Sequence, residues 1–342
     1  MKPEISLCLQ ALLLVACSPG PDASIETPSP AEEAVHLNGP YLGQMPPGKE
    51  PQLFAPGIVS TGRAERDLAM TPDGTEIYFT SVLGAGFNFS AIVRIRQIDG
   101  RWSDPEVSAF SGRYKDLEPT ISPDGKKFFF VSTRPMPGST EILENEDIWV
   151  MNRQGESWSQ PQNLGSPINT GSAEFFPSVA RNGSVYFTRR SEDRTESIYR
   201  SQWIDGSYAE PEKLATEVNA APSQFNAFVD PDEKFLIVCS WGRDDSLGGV
   251  DYYIVFRSPD DTWTGPINLG STINTSVGQE WSPYVSPDGR FFFFMSSRST
   301  FDAQVPETPL TYPDLQTLHR EPLNGNSDIW WVESAFLEDL RP

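Results

Sequence analysis

The chain has few of the side chains on which most catalytic and metal chemistry depends. Its 342 residues include 2 histidines and 3 cysteines. No His-Glu-x-x-His, Gly-x-Ser-x-Gly or Cys-x-x-Cys pattern occurs. These absences argue against a zinc peptidase, a serine hydrolase with a nucleophile elbow, and a dithiol redox protein.

Basic residues are also scarce. There are 26 Lys and Arg against 47 Asp and Glu, which gives a formal net charge of −21. A phosphate backbone would be repelled by this charge, and no Lys/Arg run relieves it locally. We therefore expect no nucleic-acid partner.

Long apolar runs are absent except at the N-terminus. A Lys at position 2 precedes an apolar run over residues 5–16 that only Ser6 and Gln10 interrupt. The run is too short for a comfortable permanent membrane span, and its charged start is typical of an export signal. Residues 1–16 are predicted to be a signal peptide.

The end of this run, Leu14-Val-Ala-Cys17, resembles the lipobox of bacterial lipoproteins. That resemblance implies lipidation of Cys17 and membrane attachment through the N-terminal lipid. Ser18 resembles the residue that directs lipoproteins to an outer membrane, here facing the periplasm. The alternative is an ordinary secretory signal with an incidental Cys. Residues 17–49, rich in Pro, Ser, Ala, Glu and Gly, are predicted to be a flexible tether.

One cysteine is left for the folded domain. Cys239 lies within the apolar run 235–239 and has no second thiol with which to form a disulfide. A buried cysteine of this kind behaves as a small apolar residue.

A tight-turn motif occurs five times. Its Asp or Asn stands at positions 73, 124, 182, 232 and 288, so the copies are 50 to 58 residues apart. Three copies read Pro-Asp-Gly, in which Pro presets φ and Gly accepts the positive φ that closes the turn. The spacing is that of a propeller blade.

Each turn precedes two more predicted strands. The second strands are apolar at nearly every position, which is typical of strands covered on both faces, and span residues 77–80, 128–131, 185–188, 235–239 and 291–295. Third strands begin at Ala91, Asp147, Ser197, Asp251 and Asp328. Fourth strands are predicted to begin at Trp102, Trp158, Tyr208 and Trp263, each followed by a Pro that suits an edge strand.

The fifth copy lacks a fourth strand of its own. Residues 50–61 resemble the fourth-strand region 160–170 and lie at a matching distance from the following turn. The N-terminal strand is therefore predicted to complete the last blade and close the ring. The predicted fold is all-β, a five-bladed β-propeller of four-stranded antiparallel blades over residues 50–342.

The Ser-Pro-Asp-Gly turn, the aromatic strand after it and the later Asp-Ile-Trp resemble the WD40-like repeats called PD40, known from the TolB propeller. The resemblance covers residues 50–334 and implies a propeller, with little about function. Propellers of the TolB type have six blades, so six is the alternative count.

Chain polarity assigns the loops to two faces. The turns between first and second strands and between third and fourth strands are short. The opposite face carries the long loops at residues 135–146, 241–250 and 299–327. We call these the short-turn face and the long-loop face, and the second is where binding is expected.

Oxygen-bearing side chains precede the first strands at one equivalent offset, at Glu65, Asp116, Glu174, Gln224 and Glu280. They are predicted to ring the channel mouth on the long-loop face as ligand-binding residues, joined by Asp67 and Glu118 in two blades. Such a ring would suit a basic peptide or Ca²⁺. The alternative is that they bind neighbouring backbone as part of the repeat.

A second set of charges lies beside the long loops. Arginines at the ends of second strands are expected to pair across the loop with aspartates at the starts of third strands. The arginines are Arg134, Arg190, Arg243 and Arg298, and the aspartates are Asp147, Asp251 and Asp328.

Two functions fit this sequence. The first is a non-catalytic scaffold in the cell envelope that binds a protein, peptide or glycan. The second is a glycoside hydrolase or lyase that uses Glu118 with Glu174 or Asp67 as its acid and base.

Overall fold

In the computed structural model the described residues are 37–84, 88–301, 306 and 308–342. Five sheets of four principal strands make up the architecture. The first strand of every blade contacts the first strands of both neighbouring blades, so these strands form a closed inner ring. The five-bladed β-propeller is confirmed, and the six-bladed alternative is wrong.

The strands of each blade run from the inner ring outwards. First strands are Ala64–Met70, Asp116–Ile121, Glu174–Val179, Ser223–Val229 and Glu280–Val285. Second strands are Glu76–Leu83, Lys127–Ser132, Val185–Arg190, Phe235–Trp241 and Phe291–Ser296. Third strands are Phe89–Ile98, Asp147–Gln154, Glu196–Ser201, Val250–Phe256 and Asp328–Glu333.

Fourth strands are short. They are Glu106–Val107, Gln162–Asn163, Glu212–Lys213, Ile267–Asn268 and Gln52–Leu53. Each begins directly after a Pro rather than at the preceding aromatic residue, so the predicted starts were several residues early. The aromatic positions instead close the hairpin after the third strand, as Arg101–Trp102 and Ser157–Trp158 do. Pro separates the two pieces because it has no N–H for a sheet ladder.

The N-terminal strand closes the ring as predicted. Gln52 pairs with Trp331 and Leu53 with Trp330, antiparallel to the third strand of blade 5. The packed chain begins before this strand, since the Leu37 carbonyl accepts a 3.0 Å bond from the Trp102 amide. Part of the predicted tether, residues 37–49, is therefore packed on the propeller.

The core lies between the blades and is mainly aromatic and β-branched. Phe128, Phe129 and Phe130 in blade 2 are buried, as are Phe291 and Phe293 in blade 5. Because a second strand touches a neighbouring blade on each face, it buries consecutive residues rather than alternate ones. Cys239 is fully buried in this core, as predicted, and burial raises the pKa of its thiol.

One long loop contains a helix that the sequence reasoning missed, Tyr312–Arg320. Thr311 and Asp314 form a capping box at its start, and Pro313 lies in its first turn. A second, shorter helix is Phe336–Asp339, and Tyr41–Gly43 is a 3₁₀ turn. None of the helices in the described part of the chain has the length and apolar character of a membrane span.

Candidate functional site

The five predicted mouth positions are buried and do not open onto a funnel. Glu65, Asp116, Glu174, Gln224 and Glu280 each expose 1% or less of their surface. Most of them bind the link that leads into their own blade. Glu65 accepts bonds from the Thr61 amide at 3.0 Å and hydroxyl at 2.6 Å.

Three of the other four positions use similar partners. Glu174 accepts from the amide and hydroxyl of Thr170, Gln224 from the Ala221 amide, and Glu280 from the Thr275 hydroxyl. Asp116 instead accepts from the hydroxyls of Ser111 and Ser132 and from Arg134. The expectation that they line an open mouth is therefore wrong, and the structural alternative accounts for their repetition.

The predicted pairing of arginines across the long loops is also wrong in detail. Arg134 pairs with Asp116, Arg190 with Glu196 and Arg243 with Asp245. Arg298 donates to the Ile273 carbonyl at 2.6 Å. Asp147 and Asp251 instead accept bonds from Asn163 and Asn268, the last residues of their fourth strands. These arginines hold loops and links in place.

Two residues further along, every first strand carries a β-bulge. The residue there has positive φ although none is Gly: Asp67, Glu118, Phe176, Asn226 and Ser282, with φ between 49° and 72°. The register shifts at the same place in all five blades. A bulge re-aims side chains locally, and this ring surrounds the centre of the propeller.

Asp67 and Glu118 belong to this bulge ring and share one cation. Arg66 donates to Asp67 at 2.8 Å and to Glu118 at 3.0 Å. Glu118 also accepts from the Phe176 amide at 2.7 Å, and Asp67 accepts from the Ser282 hydroxyl. The cavity between them measures about 10 Å³. At its centre the channel is therefore closed to anything larger than about one water.

Above this centre, on the long-loop face, lies a pocket of about 240 Å³ that we call the mouth pocket. It is lined by residues of all five blades. They are Arg66, Lys115, Leu117, Glu118, Glu146, Phe175, Arg190, Glu196, Phe225, Asn226 and Trp281. Of the predicted site residues it contains Glu118, and Asp67 lies directly beneath it.

An aromatic wall forms one side of the mouth pocket. Phe175, Phe225 and Trp281 occupy one equivalent position, the residue just before the bulge. The rings of Phe225 and Trp281 meet edge to face with centroids 6.3 Å apart. Sequence reasoning missed this wall, although the position departs from repeat symmetry, with Arg66 and Leu117 in the other two blades.

Ion pairs form the rim. Lys115 binds Glu146 at 2.7 Å, and Arg190 binds Glu196 at 2.8 Å. The guanidinium groups also cover aromatic faces, because Arg66 lies 5.5 Å from the Trp281 ring centre and Arg190 5.3 Å from that of Phe175. The cations of the mouth pocket are thus already engaged by carboxylates and rings.

The pKa values of Glu118 and Glu146 are shifted in opposite directions. Burial raises the pKa of Glu118 to about 8, and the charges of Asp67 and Glu146 add to this against the pull of Arg66. Burial alone would also raise the pKa of Glu146, but its bond with Lys115 lowers it overall. At neutral pH Glu118 is therefore mostly protonated and Glu146 is ionised.

Asn226 contributes a buried side-chain amide to the mouth pocket. It is 1% exposed, and its side-chain oxygen has no hydrogen-bond partner among the described residues. Its backbone is held, because the amide donates to the Thr188 hydroxyl at 2.9 Å. A buried amide oxygen without a partner costs about 1–3 kcal/mol, which a bound ligand could recover.

Metal binding has no comparable support. Across residues 37–342, less the undescribed gaps, no group of three or more His, Cys, Asp or Glu side chains is placed to hold a metal ion. The Ca²⁺ expected at the mouth therefore finds no such ligand set there. Cys17 lies outside the described residues.

Comparisons with known proteins find solved structures of similar fold. No family model and no curated protein matches the chain. TolB from Acinetobacter baumannii superposes with a TM-score of 0.44 at 15% identity, over 80% of this chain and 57% of that one. An α-L-arabinofuranosidase from Lactobacillus brevis gives 0.44 at 13% identity, over 81% and 92%. A glycoside hydrolase superposes with a TM-score of 0.49 at 10% identity, over 86% of this chain and 93% of that one. Similarities at these levels carry no argument about function.

Proposed function

We propose that the chain is a non-catalytic, ligand-binding propeller of the bacterial cell envelope, and that its ligand occupies the mouth pocket. The observation that carries this proposal is the buried, unpartnered oxygen of Asn226 beside an aromatic wall. Binding sites combine an apolar lining with a few convergent polar groups in this way. The rigid ring of first strands keeps the pocket preformed.

The hydrolase alternative receives less support from the geometry. A glycoside hydrolase needs two carboxyl groups that face the substrate from about 5–9 Å apart. Glu118 and Asp67 are joined through Arg66, while Glu174 is fully buried and bound to Thr170 and Arg189. Neither predicted acid–base pair presents two carboxyl groups to an open pocket.

Removal of one aromatic ring should weaken ligand recognition. We expect Trp281→Leu to weaken binding to immobilised glycan and peptide arrays about tenfold or more, since a stacked aromatic contributes on the order of a kcal/mol beyond its buried area. The matched control is Trp203→Leu, because Trp203 is 36% exposed in a blade 3 hairpin outside the pocket. Failure of the wild-type protein to bind either array, or equal losses in both variants, would contradict the proposal.

Envelope attachment rests on the N-terminal sequence. The packed segment before the closure strand contacts the short-turn face, where the Tyr41 hydroxyl donates to Asp288 at 2.8 Å. Gly39 and Pro40 line a neighbouring pocket with Gly74 and Gly100, residues of short turns. The described part of the chain therefore begins on the short-turn face, opposite the mouth pocket.

Lipidation can be tested directly. We expect the wild-type protein to incorporate labelled palmitate and to sediment with outer membranes. The Cys17→Ala variant should do neither, because the acyl chains on Cys17 supply the membrane affinity. A Cys239→Ala variant is the control, since that thiol is buried. A Cys17→Ala protein that still sediments with membranes would refute the anchor.

A further inference from the structure

The charges of the mouth pocket cancel one another. Each cation is bonded to a carboxylate, in the pairs Arg66 with Asp67 and Glu118, Lys115 with Glu146, and Arg190 with Glu196. With Glu118 protonated, three cations face three carboxylates. A charged ligand would have to break one of these pairs, so the pocket favours an uncharged one.

The inner strand edges cannot receive an extended peptide. At three of the five bulges, side chains of the protein already accept the bond of the backbone amide. The Glu118 amide donates to Thr80 at 3.1 Å, the Phe176 amide to Glu118 at 2.7 Å and the Asn226 amide to Thr188 at 2.9 Å. Strand addition needs free edge amides, so the pocket selects a compact ligand.

The aromatic wall and the Asn226 oxygen together favour a ligand that is apolar on one side and hydroxyl-rich on the other. Phe225 and Trp281 offer ring surface, which an aliphatic ligand could also use. Such a ligand would leave the Asn226 oxygen unpaired, however, and would forfeit that bond. The volume of about 240 Å³ is below the range of about 300–1,000 Å³ found for drug-sized ligands, which limits the occupant to one or two small rings.

We infer that the mouth pocket binds an uncharged sugar residue of a glycan, with its C–H face on the Phe225–Trp281 wall and a hydroxyl donating to the Asn226 side-chain oxygen. Pyranose rings carry axial C–H groups on their faces and hydroxyls on their edges, which matches this division. The inference rests on the proposed function and names the ligand class of the same pocket.

Calorimetric titration of the full chain with three kinds of probe tests the ligand class. The first kind is neutral saccharides, namely maltotriose, xylotriose, chitotriose and any neutral glycan that binds on the array. The second is an acidic saccharide, trigalacturonic acid. The third is tripeptides, both uncharged and basic. We expect a neutral saccharide to bind, and Asn226→Gly to weaken its binding about tenfold, because Gly removes the side-chain oxygen that accepts the sugar hydroxyl. Gly adopts the positive φ at this position without strain, so the fold should persist.

Asn152→Gly is the matched control, since it makes the same chemical change at an exposed residue of blade 2 outside the pocket. Saccharide binding that is weakened by Asn226→Gly and unaffected by Asn152→Gly supports the inference, and equal binding by both variants and the wild-type protein overturns it. Peptide or trigalacturonic acid binding at the pocket without neutral saccharide binding overturns the inference and leaves the proposed function standing. Binding of no probe on either array or in solution overturns both.

Discussion

Deletion of residues 50–61 should abolish the cooperative unfolding of the whole propeller. The segment contains the fourth strand of blade 5, and without it the third strand Asp328–Glu333 becomes an open edge. The Phe54 amide donates to the Ile329 carbonyl at 2.8 Å, and the Ser60 hydroxyl donates to the same carbonyl at 2.9 Å. The chain ends are held together by these contacts, so their loss should reach every blade.

A single substitution separates packing from strand pairing. Phe54 is fully buried, and its ring lies 5.0 Å from that of Phe293 and 5.3 Å from that of Trp331. We expect Phe54→Ala to lower the free energy of unfolding by about 3–5 kcal/mol, the usual cost of such a truncation in a core. Urea unfolding followed by tryptophan fluorescence measures it.

Met45→Ala is the control for that measurement. Met45 lies in the same N-terminal segment but is 82% exposed, so its truncation should change stability by less than about 0.5 kcal/mol. An unchanged urea midpoint in both the deletion and the Phe54→Ala variant would show that the ring closes without this strand.

The blade count and the closure strand could be predicted because their signals are local and repeated. Turns such as 72–74 and 123–125 need Pro, Asp and Gly for reasons of backbone geometry alone, so their spacing gives the number of blades. The closure followed from matching Pro51 with Pro161 at equivalent distances from a turn. No tertiary information was needed for either.

The mouth pocket could not be predicted in the same way. Side-chain alternation along a first strand breaks at the bulge, and a positive φ is not readable from residues such as Phe176. The side chains of the acids expected at the mouth therefore bind the blade links, while Phe225 and Trp281 face the pocket. The helix Tyr312–Arg320, by contrast, carried a readable capping box within what was treated as a loop.

Replacement of Arg66 by Met should strongly destabilise the propeller. The guanidinium is buried between Asp67 and Glu118, and its removal leaves two buried carboxyl groups without their cation. Breaking a buried ion pair from one side costs about 3–5 kcal/mol. Arg181→Met is the control, because Arg181 pairs with Asp232 on the surface, and no measurable change is expected there.

The loss should depend on pH in a definite direction. The pKa of Glu118 is raised by burial from 4.5 to about 8, so this group stabilises the fold fully below pH 4.5 and loses that contribution as the pH rises through 8. Arg66 opposes the rise in pKa, so without it ionised Glu118 is costlier. The deficit of Arg66→Met should therefore be smaller at pH 5 than at pH 8, measured as the midpoint of thermal unfolding.

The double variant Arg66→Met/Glu118→Gln tests whether Glu118 is the cause. Gln keeps the shape of the side chain and cannot ionise, so the double variant should recover part of the lost stability at pH 8 and little at pH 5. It should also show a flatter stability profile between these pH values than Arg66→Met alone. A deficit that is the same at both pH values, and is not relieved by Glu118→Gln, would mean that Arg66 acts through packing against Trp281 rather than through its charge.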